Sequence, residues 1–272
     1  MQDDLGDRMK MYEMAEAGRK CMPLLPIVAR IDGRSFSKFT SGLERPYDRR
    51  LSELMIDTVK FLVRETNAAC GYTQSDEITL AWYTPTFDSQ IIFDGRISKL
   101  VSVLASLTTA HFNRKLPQFL PVEYGERLPH FDARVWNLPS LDEAANAFLW
   151  REFDAIKNSI AMAARAHYSH KQLDNKNGAE MQELLLQKGV NWHEYPDFFK
   201  RGTYIQRRKT LRRFSTEELE KLPPMHEARE NPELMIERTD HVALELPPLH
   251  RVKNRVAVLF EGAAPESSEA AP

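Results

Sequence analysis

Between residues 24 and 137 the apolar residues of this chain switch back and forth between the strand period of two and the helix period of 3.6, and few folds accept the resulting order. Leu24 to Asp32 is an apolar run with Ile27, Val28 and Ile31, bounded by Pro23 and Gly33, which suits a buried strand. From Asp48, a good N-cap, Leu51, Leu54, Met55, Thr58, Val59 and Leu62 recur at i, i+3, i+4 spacing, predicting an amphipathic helix that ends before Cys70-Gly71. Ala69 to Thr73, then Ile78, Leu80 and Trp82, form a hairpin with acids at its turn. Ile97, Leu100, Val101, Leu104, Leu107, Thr108 and His111 return to helical spacing until Pro117, and Phe131, Ala133 and Val135 make a strand that ends at Asn137. The order β-α-β-β-α-β is the ferredoxin-like split βαβ unit. The expected fold class is therefore α+β, with this unit over residues 20–137. A long helix from about Leu141 to His167, a second near Ala179 to Lys188 and a mixed C-terminal extension come next, expected to pack as a helical subdomain over 138–260. Residues 261–272, rich in Ala, Ser, Glu and Pro, are expected to be a disordered tail.

Composition narrows the function classes. The chain is 42% apolar and 28% charged, with no apolar run near the roughly 18 residues that span a bilayer, so no membrane role is expected. Met1 to Asp7 is acidic and lacks a basic region followed by an apolar one, which points to a cytoplasmic protein. Cys21 and Cys70 have no CxxC partner and read as reduced, buried thiols. His167 and His170 have HxxH spacing without a third ligand nearby, and the phosphate-loop, dinucleotide and hydrolase-elbow glycine motifs are missing. The net charge of -2 conceals an uneven distribution: Lys200, Arg201, Arg207, Arg208, Lys209, Arg212 and Arg213 fall within residues 200–213, which hold no acid. Such a stripe suits contact with a polyanion, or else is a solvated charged face.

In a split βαβ unit the first and third strands are antiparallel neighbours, so the end of the first lies beside the start of the third. Asp32 is then expected next to Asp76. Two carboxylates with a nearby Gly33 carbonyl make an oxygen-rich site that suits Mg²⁺ and can hold two ions around a triphosphate. Asp-Gly is also a common turn pair, and Ser-Asp-Glu can simply cap a hairpin. Glu77 can assist the site or pair with a base. Ser75 can donate to a phosphate oxygen, and Arg96 and Lys99, at i, i+3 near a helix start, can supply cations on one face. Phe36 and Phe39 are one helical turn apart and are expected in the core.

Three segments together carry a family resemblance: Arg30-Ile31-Asp32-Gly33-Arg34-Ser35-Phe36-Ser37-Lys38-Phe39, Arg45-Pro46-Tyr47-Asp48 and Gly71-Tyr72-Thr73-Gln74-Ser75-Asp76-Glu77. They resemble the R-[IL]-D-G-R-x-F, K-P-x-D and Y-x-Q-S-D-E signatures of the tRNA(His) guanylyltransferase family. Arg96-Ile97-Ser98-Lys99 resembles its R-x-S-K element, and Asn146 to Arg151 is similar to the form of a later motif in the repair-type bacterial and archaeal branch. The resemblance covers about residues 24–165, with Phe199 to Gly202 a weaker match beyond. It implies a polymerase-type palm working 3′-to-5′, which activates a 5′-monophosphorylated RNA end with a nucleoside triphosphate, typically ATP, before the 3′-hydroxyl of an incoming nucleotide attacks. It further implies that Asp32, the Gly33 carbonyl and Asp76 hold two Mg²⁺ and that Ser75, Arg45, Arg96 and Lys99 bind ATP, GTP or other triphosphates. Glu77 belongs to the catalytic motif, and a homotetramer is the implied assembly. Lys200, Arg201, Arg207, Arg208 and Lys209 are the candidate tRNA contacts. Ser37 stands where the eukaryotic enzymes carry a histidine and Arg45 where they carry a lysine, and residues 141–150 lack their H-I-N-N-L-Y-N sequence. These departures favour template-dependent repair of tRNA 5′ ends over non-templated G addition. A palm-type nucleotide cyclase and an RNA-binding module with a degenerate site are the alternatives from other classes.

Overall fold

A computed structural model describes residues 4–231 and 233–267. Within it, β1 (Ile27–Gly33), β2 (Cys70–Gln74), β3 (Glu77–Trp82), β4 (Phe131–Asn137), β5 (Thr203–Arg213) and β6 (Met235–Ala243) form one antiparallel sheet in the order β4-β1-β3-β2-β5-β6. The helices are α1 (Asp4–Ala17), α2 (Phe36–Phe39), α3 (Arg49–Thr66), α4 (Ile97–Phe119), α5 (Leu141–His167), α6 (His170–Leu173), α7 (Gly178–Gln187), α8 (Asp197–Lys200), α9 (Thr216–Lys221) and α10 (Glu227–Glu230). The first four strands with α3 and α4 are the expected split βαβ unit.

Both faces of the sheet are covered at β1, which is why this strand reads as a nearly unbroken apolar run. Ile27, Ala29 and Ile31 face α3 and α4, packing with Leu54, Val59, Leu62, Leu100, Leu104 and Phe112. Val28 faces the other way, into a second cluster with Ala81, Tyr72, Phe148, Tyr204 and Leu259 under α5. Phe36 and Phe39 are core residues, as expected, with ring centroids 5.8 Å each from Phe112. Asp48 caps α3 by accepting from Arg50 N at 3.0 Å. Pro117 does not end α4. It lies in the last turn, where its missing N–H removes one bond while Leu120 N still donates to Leu116 O at 2.9 Å.

The helical subdomain is only part of the chain beyond the palm. A third apolar cluster joins α5, α7 and α8 through Ile160, Leu185, Trp192 and Phe199. After α8 the chain returns to the sheet: β5 pairs with β2 from Thr203 to Gln206 and covers an edge that would otherwise leave backbone groups unpaired. Gly202 permits that return, because at φ +78° a Cβ would lie 2.6 Å from the Thr73 carbonyl oxygen. Past Gln206, β5 pairs only with β6, forming a two-stranded arm.

The first part of the expected tail, residues 261–267, is joined to the rest of the chain. Lys253 N donates to Glu266 O at 2.8 Å, Glu266 N to Asn254 Oδ1 at 2.9 Å and Asn254 Nδ2 to Ala264 O at 2.9 Å, so this segment is tied to the fold by one backbone bond and two bonds of the Asn254 side chain that composition does not reveal. Residues 268–272 of that expected tail lie outside the described residues. Cys21 and Cys70 are buried and unpaired, and burial pushes the Cys70 thiol up to about 12. No helix among the described residues is long and apolar enough to cross a membrane.

Candidate active site

Strands β1 and β3 place the acids. Asp32 is the register partner of Glu77, and Gly33 N donates to the Asp76 carbonyl at 3.1 Å, so Asp32 and Asp76 meet at one sheet edge as the topology requires. An antiparallel residue turns its N–H and C=O to the same side, which aims the Gly33 carbonyl at this edge too. Glycine is required there, since a Cβ would come within 2.3 Å of the Phe36 ring. Ser75 makes the turn with φ +55° and donates Oγ to Asp76 Oδ1 at 3.0 Å.

Neither Asp32 nor Asp76 has a cationic partner among the described residues. Burial raises the Asp76 carboxyl above its usual range; the Ser75 hydroxyl opposes this and the charge of Asp32 adds to it. Two carboxylates and a main-chain carbonyl, held together without a neutralising base, are a hard-oxygen donor set that a divalent cation suits. These three fit Mg²⁺. No cluster of three or more His, Cys, Asp or Glu ligands occurs among the described residues, so protein carboxylates alone do not complete a shell, and neither His167 nor His170 belongs to one.

Glu77 is differently employed. Arg151 from α5 grips it with two arms, Nε to Oε1 at 2.5 Å and Nη2 to Oε2 at 2.7 Å, and also donates to Asp154 Oδ2 at 3.0 Å. Arg30 Nε lies 3.9 Å from Glu77 Oε2. Burial lifts the Glu77 carboxyl, and the two guanidiniums oppose that lift. Of the two roles open to Glu77 in the sequence, pairing with a base is the one present.

Two cavities adjoin at the Ser75–Asp76 turn. One, of about 460 Å³, lies over the loop from α2 to α3 and is lined by Phe36, Ser37, Thr40, Arg45, Pro46 and Asp48. Its lining mixes buried apolar Phe36 and Leu43 with polar Ser37, Arg45 and Asp48, and it is large enough for a nucleoside. Tyr47 anchors this loop against Phe198 and Phe199, with ring centroids 5.3 and 4.8 Å away. The other, of about 320 Å³, is lined by Asp32, Asp76, Glu77, Arg151, Asp154 and Asn158. Ser75, Asp76, Met162 and Arg165 line both. Asp154, Asn158 and Arg165 escaped the sequence reading, and Arg151 entered it only as the end of the 146–151 motif, with no site role. Their signal is a polar stripe at helical spacing along α5, a helix that otherwise buries Ala144, Phe148, Ala155 and Ala163.

Arg96 and Lys99 are not at this site within one protomer. Gly95 O accepts from Cys21 N at 2.8 Å, Met22 N donates to Asn137 Oδ1 at 2.8 Å, and Asn137 is the register partner of Ile27, which puts the start of α4 at the Ile27 end of β1. Asp32 is at the other end, about 17 Å away at some 3.3 Å per residue. Helical spacing correctly put the two cations on one exposed stretch; it carried no information on which end of the sheet they flank.

The basic stripe is largely neutralised by tertiary partners. Lys200 and Arg201 are mostly buried beside Asp197, at 3.3 and 2.7 Å. Lys209 pairs with Glu237 at 2.9 Å, Arg212 with Glu218 and Asp240 at 2.7 and 3.2 Å, and Arg213 with Glu233. Arg208 donates to Ala263 O at 3.4 Å. Arg207 is exposed and makes no ion pair among the described residues. The acids lie about twenty or more positions downstream for all but Glu218 and Asp197, so local charge counting overstates the free charge.

The chain as a whole is similar to proteins of one family. The family model described as tRNAHis guanylyltransferase matches residues 6–139. A solved bacterial tRNA(His) guanylyltransferase-like protein in complex with ATP is 40% identical with a TM-score of 0.70, covering 75% of this chain and 88% of its own. A second such bacterial structure, in complex with GTP, is 32% identical at the same TM-score, covering 91% and 94%. The tRNA(His) guanylyltransferase of Neurospora crassa is 28% identical over 237 residues, 79% of this chain and 78% of the relative.

Proposed function

Because this chain belongs to the tRNA(His) guanylyltransferase family, and is thereby a nucleotidyltransferase acting at tRNA 5′ ends, we propose that it performs template-dependent 3′-to-5′ addition that repairs truncated tRNA. The observation that carries the reading is the junction of the two cavities at Asp76: a nucleoside-sized space on one side of Ser75–Asp76 and an acidic space for phosphates on the other. The ATP and GTP bound by the two bacterial relatives support triphosphates as substrates.

In the first step an oxygen of the RNA 5′-phosphate bonds to the α-phosphorus of ATP and pyrophosphate leaves. In the second the 3′-hydroxyl of the incoming nucleotide bonds to the RNA 5′-phosphorus, AMP leaves, and the hydroxyl proton passes to solvent. Asp32, the Gly33 carbonyl and Asp76 would hold Mg²⁺, which when bound lowers the pKa of an attacking hydroxyl and stabilises a leaving phosphate. Ser75 Oγ and Arg45 line the nucleoside-sized cavity and would bind phosphate there, and Arg45 can do so with both arms of its fork. Glu77 positions α5 through Arg151. The palm over 20–137 carries the chemistry, and the region over 138–260 contacts RNA, in the cytoplasm.

A homotetramer gives Arg96 and Lys99 a role that one protomer denies them: binding the triphosphate at a second copy's Asp32–Asp76 edge. The surface beside them supports this. Arg96 bridges to Lys20 just after α1, and α1 exposes Met9, Met11, Tyr12 and Met14, an apolar stretch suited to a second copy.

Template use is supported by Ser37 lining the nucleoside cavity where the G-adding enzymes carry histidine, and by the bacterial relatives being more similar than the fungal one. Pairing across the acceptor stem would hold the incoming 3′-hydroxyl at the activated end, so alignment supplies both rate and base choice. The test is a tRNA lacking its first nucleotide, supplied with ATP and all four triphosphates while the opposing base is varied through four identities. The complementary nucleotide is expected each time. Insertion of G against every base overturns templating, and a cyclic product without RNA extension overturns the reaction class.

A further inference from the structure

Arg165 is the one guanidinium that lines both cavities, and it has no hydrogen bond or ion pair among the described residues. The other cations nearby are committed or one-sided. Arg151 is held by Glu77 and Asp154, and Arg45 lines only the nucleoside cavity. Arg165 is exposed, in the last turn of α5, on the stripe that also presents Arg151, Asp154 and Asn158. Its bland role there is to complement the helix C-terminus, which a cation in the last turn does weakly.

We propose that Arg165 binds the 5′-phosphate of the RNA at the boundary between the two cavities and retains it through both steps. This rests on the nucleotide-addition reading above. The RNA 5′-phosphate is the group common to both steps, nucleophile in the first and electrophile in the second, so it must face the activating nucleotide and the acidic cavity in turn. A residue common to both cavities can hold its non-reacting oxygens throughout. The planar fork of arginine offers two parallel N–H donors to those oxygens, and no bond to Arg165 forms or breaks. Asp32 and Asp76 have no cationic partner among the described residues and by themselves repel a phosphate; Arg165, which lines the same cavity, supplies an attraction that does not depend on a bound ion.

The test is binding of an acceptor-stem RNA hairpin, carrying either a 5′-phosphate or a 5′-hydroxyl, to the full chain at fixed salt. The wild type is expected to prefer the phosphate by about tenfold or more. Arg165→Ala should bind the two RNAs alike, with ATP affinity in the absence of RNA kept within about twofold, and Arg165→Lys should keep part of the preference because charge remains and the fork is lost. Melting of both variants is measured alongside, and with an exposed, unpaired side chain both should melt as the wild type does. Retained phosphate preference in Arg165→Ala overturns the inference, as does loss of ATP binding without loss of preference, which would make Arg165 a nucleotide ligand. A wild type that adds no nucleotide and shows no phosphate preference overturns the nucleotide-addition reading itself.

Discussion

Glu77 and Arg151 join sheet to helix by a two-armed ion pair, with both side chains no more than 15% exposed. The carboxylate nearest the turn motif is thus a docking point for α5, the helix that brings Asp154, Asn158 and Arg165 over the acids. Removing one member of such a pair leaves the other buried and uncompensated. Glu77→Ala is expected to cost about 3 kcal/mol of stability, with the Glu77→Leu/Arg151→Met double variant recovering most of it. Denaturant melts of the three proteins check this. A Glu77→Ala protein that melts like the wild type yet has lost nucleotide transfer would move Glu77 into the chemistry.

Asp32→Asn and Asp76→Asn remove charge from a site that no base neutralises. Stability should hold or rise in metal-free buffer, while transfer falls by at least about 10²-fold. Millimolar Mg²⁺ should raise the melting temperature of the wild type by binding the native state, and raise that of either variant less. An identical Mg²⁺ shift in all three proteins would remove these residues from the metal site.

On the arm, free charge and counted charge make different forecasts. Arg207→Ala should lower the slope of log affinity for tRNA against log salt by about 1, because an unpaired guanidinium on phosphate releases a counterion. Lys209→Ala, Arg212→Ala and Arg213→Ala should change that slope less, since each cation already faces a carboxylate. Equal effects at all four positions would mean that the arm's ion pairs open on RNA binding.

Within one protomer Arg96 and Asp76 flank opposite ends of the β1–β3 strand pair. If Arg96 serves the neighbouring copy, Arg96→Ala and Asp76→Ala proteins should each be defective alone and recover a measurable fraction of transfer when co-assembled, because some sites then combine an intact acid pair with an intact Arg96. Mixed assemblies no more active than the parents would confine both residues to separate roles.

His111 provides a pH-dependent element within the palm. It is buried between α3 and α4, with Nε2 2.8 Å from Asp57 Oδ2, Arg114 Nη2 3.3 Å from Nδ1 and its ring stacked on Phe61 at 4.0 Å. Burial lowers its pKa below the ordinary 6.5, with Asp57 opposing and Arg114 assisting. A depressed histidine favours the native state only when neutral. Its contribution is complete above about pH 6.5 and is lost as pH falls through the native pKa. Melting temperature should therefore fall between pH 7.5 and 5, and fall less steeply in His111→Gln.

The palm was legible in residue order alone. Ile27, Ile31, Leu54, Leu62, Leu100, Leu104, Phe131 and Ala133 bury faces at strand or helix period, and once that order fixes a split βαβ unit, adjacency of Asp32 and Asp76 follows from strand polarity. The same periodicity was silent on β5 and β6, because beyond Gln206 both faces of the arm are polar and offer no apolar alternation to read. It was silent as well on contacts that join distant segments. Glu77 with Arg151, Lys209 with Glu237, and Arg96 at the Ile27 end of the sheet are relations between residues that no local spacing connects. Which acids stayed free for a metal and which cations for a phosphate was settled by the folded chain, because a charge is neutralised or spared by whatever the fold brings within a few ångströms of it.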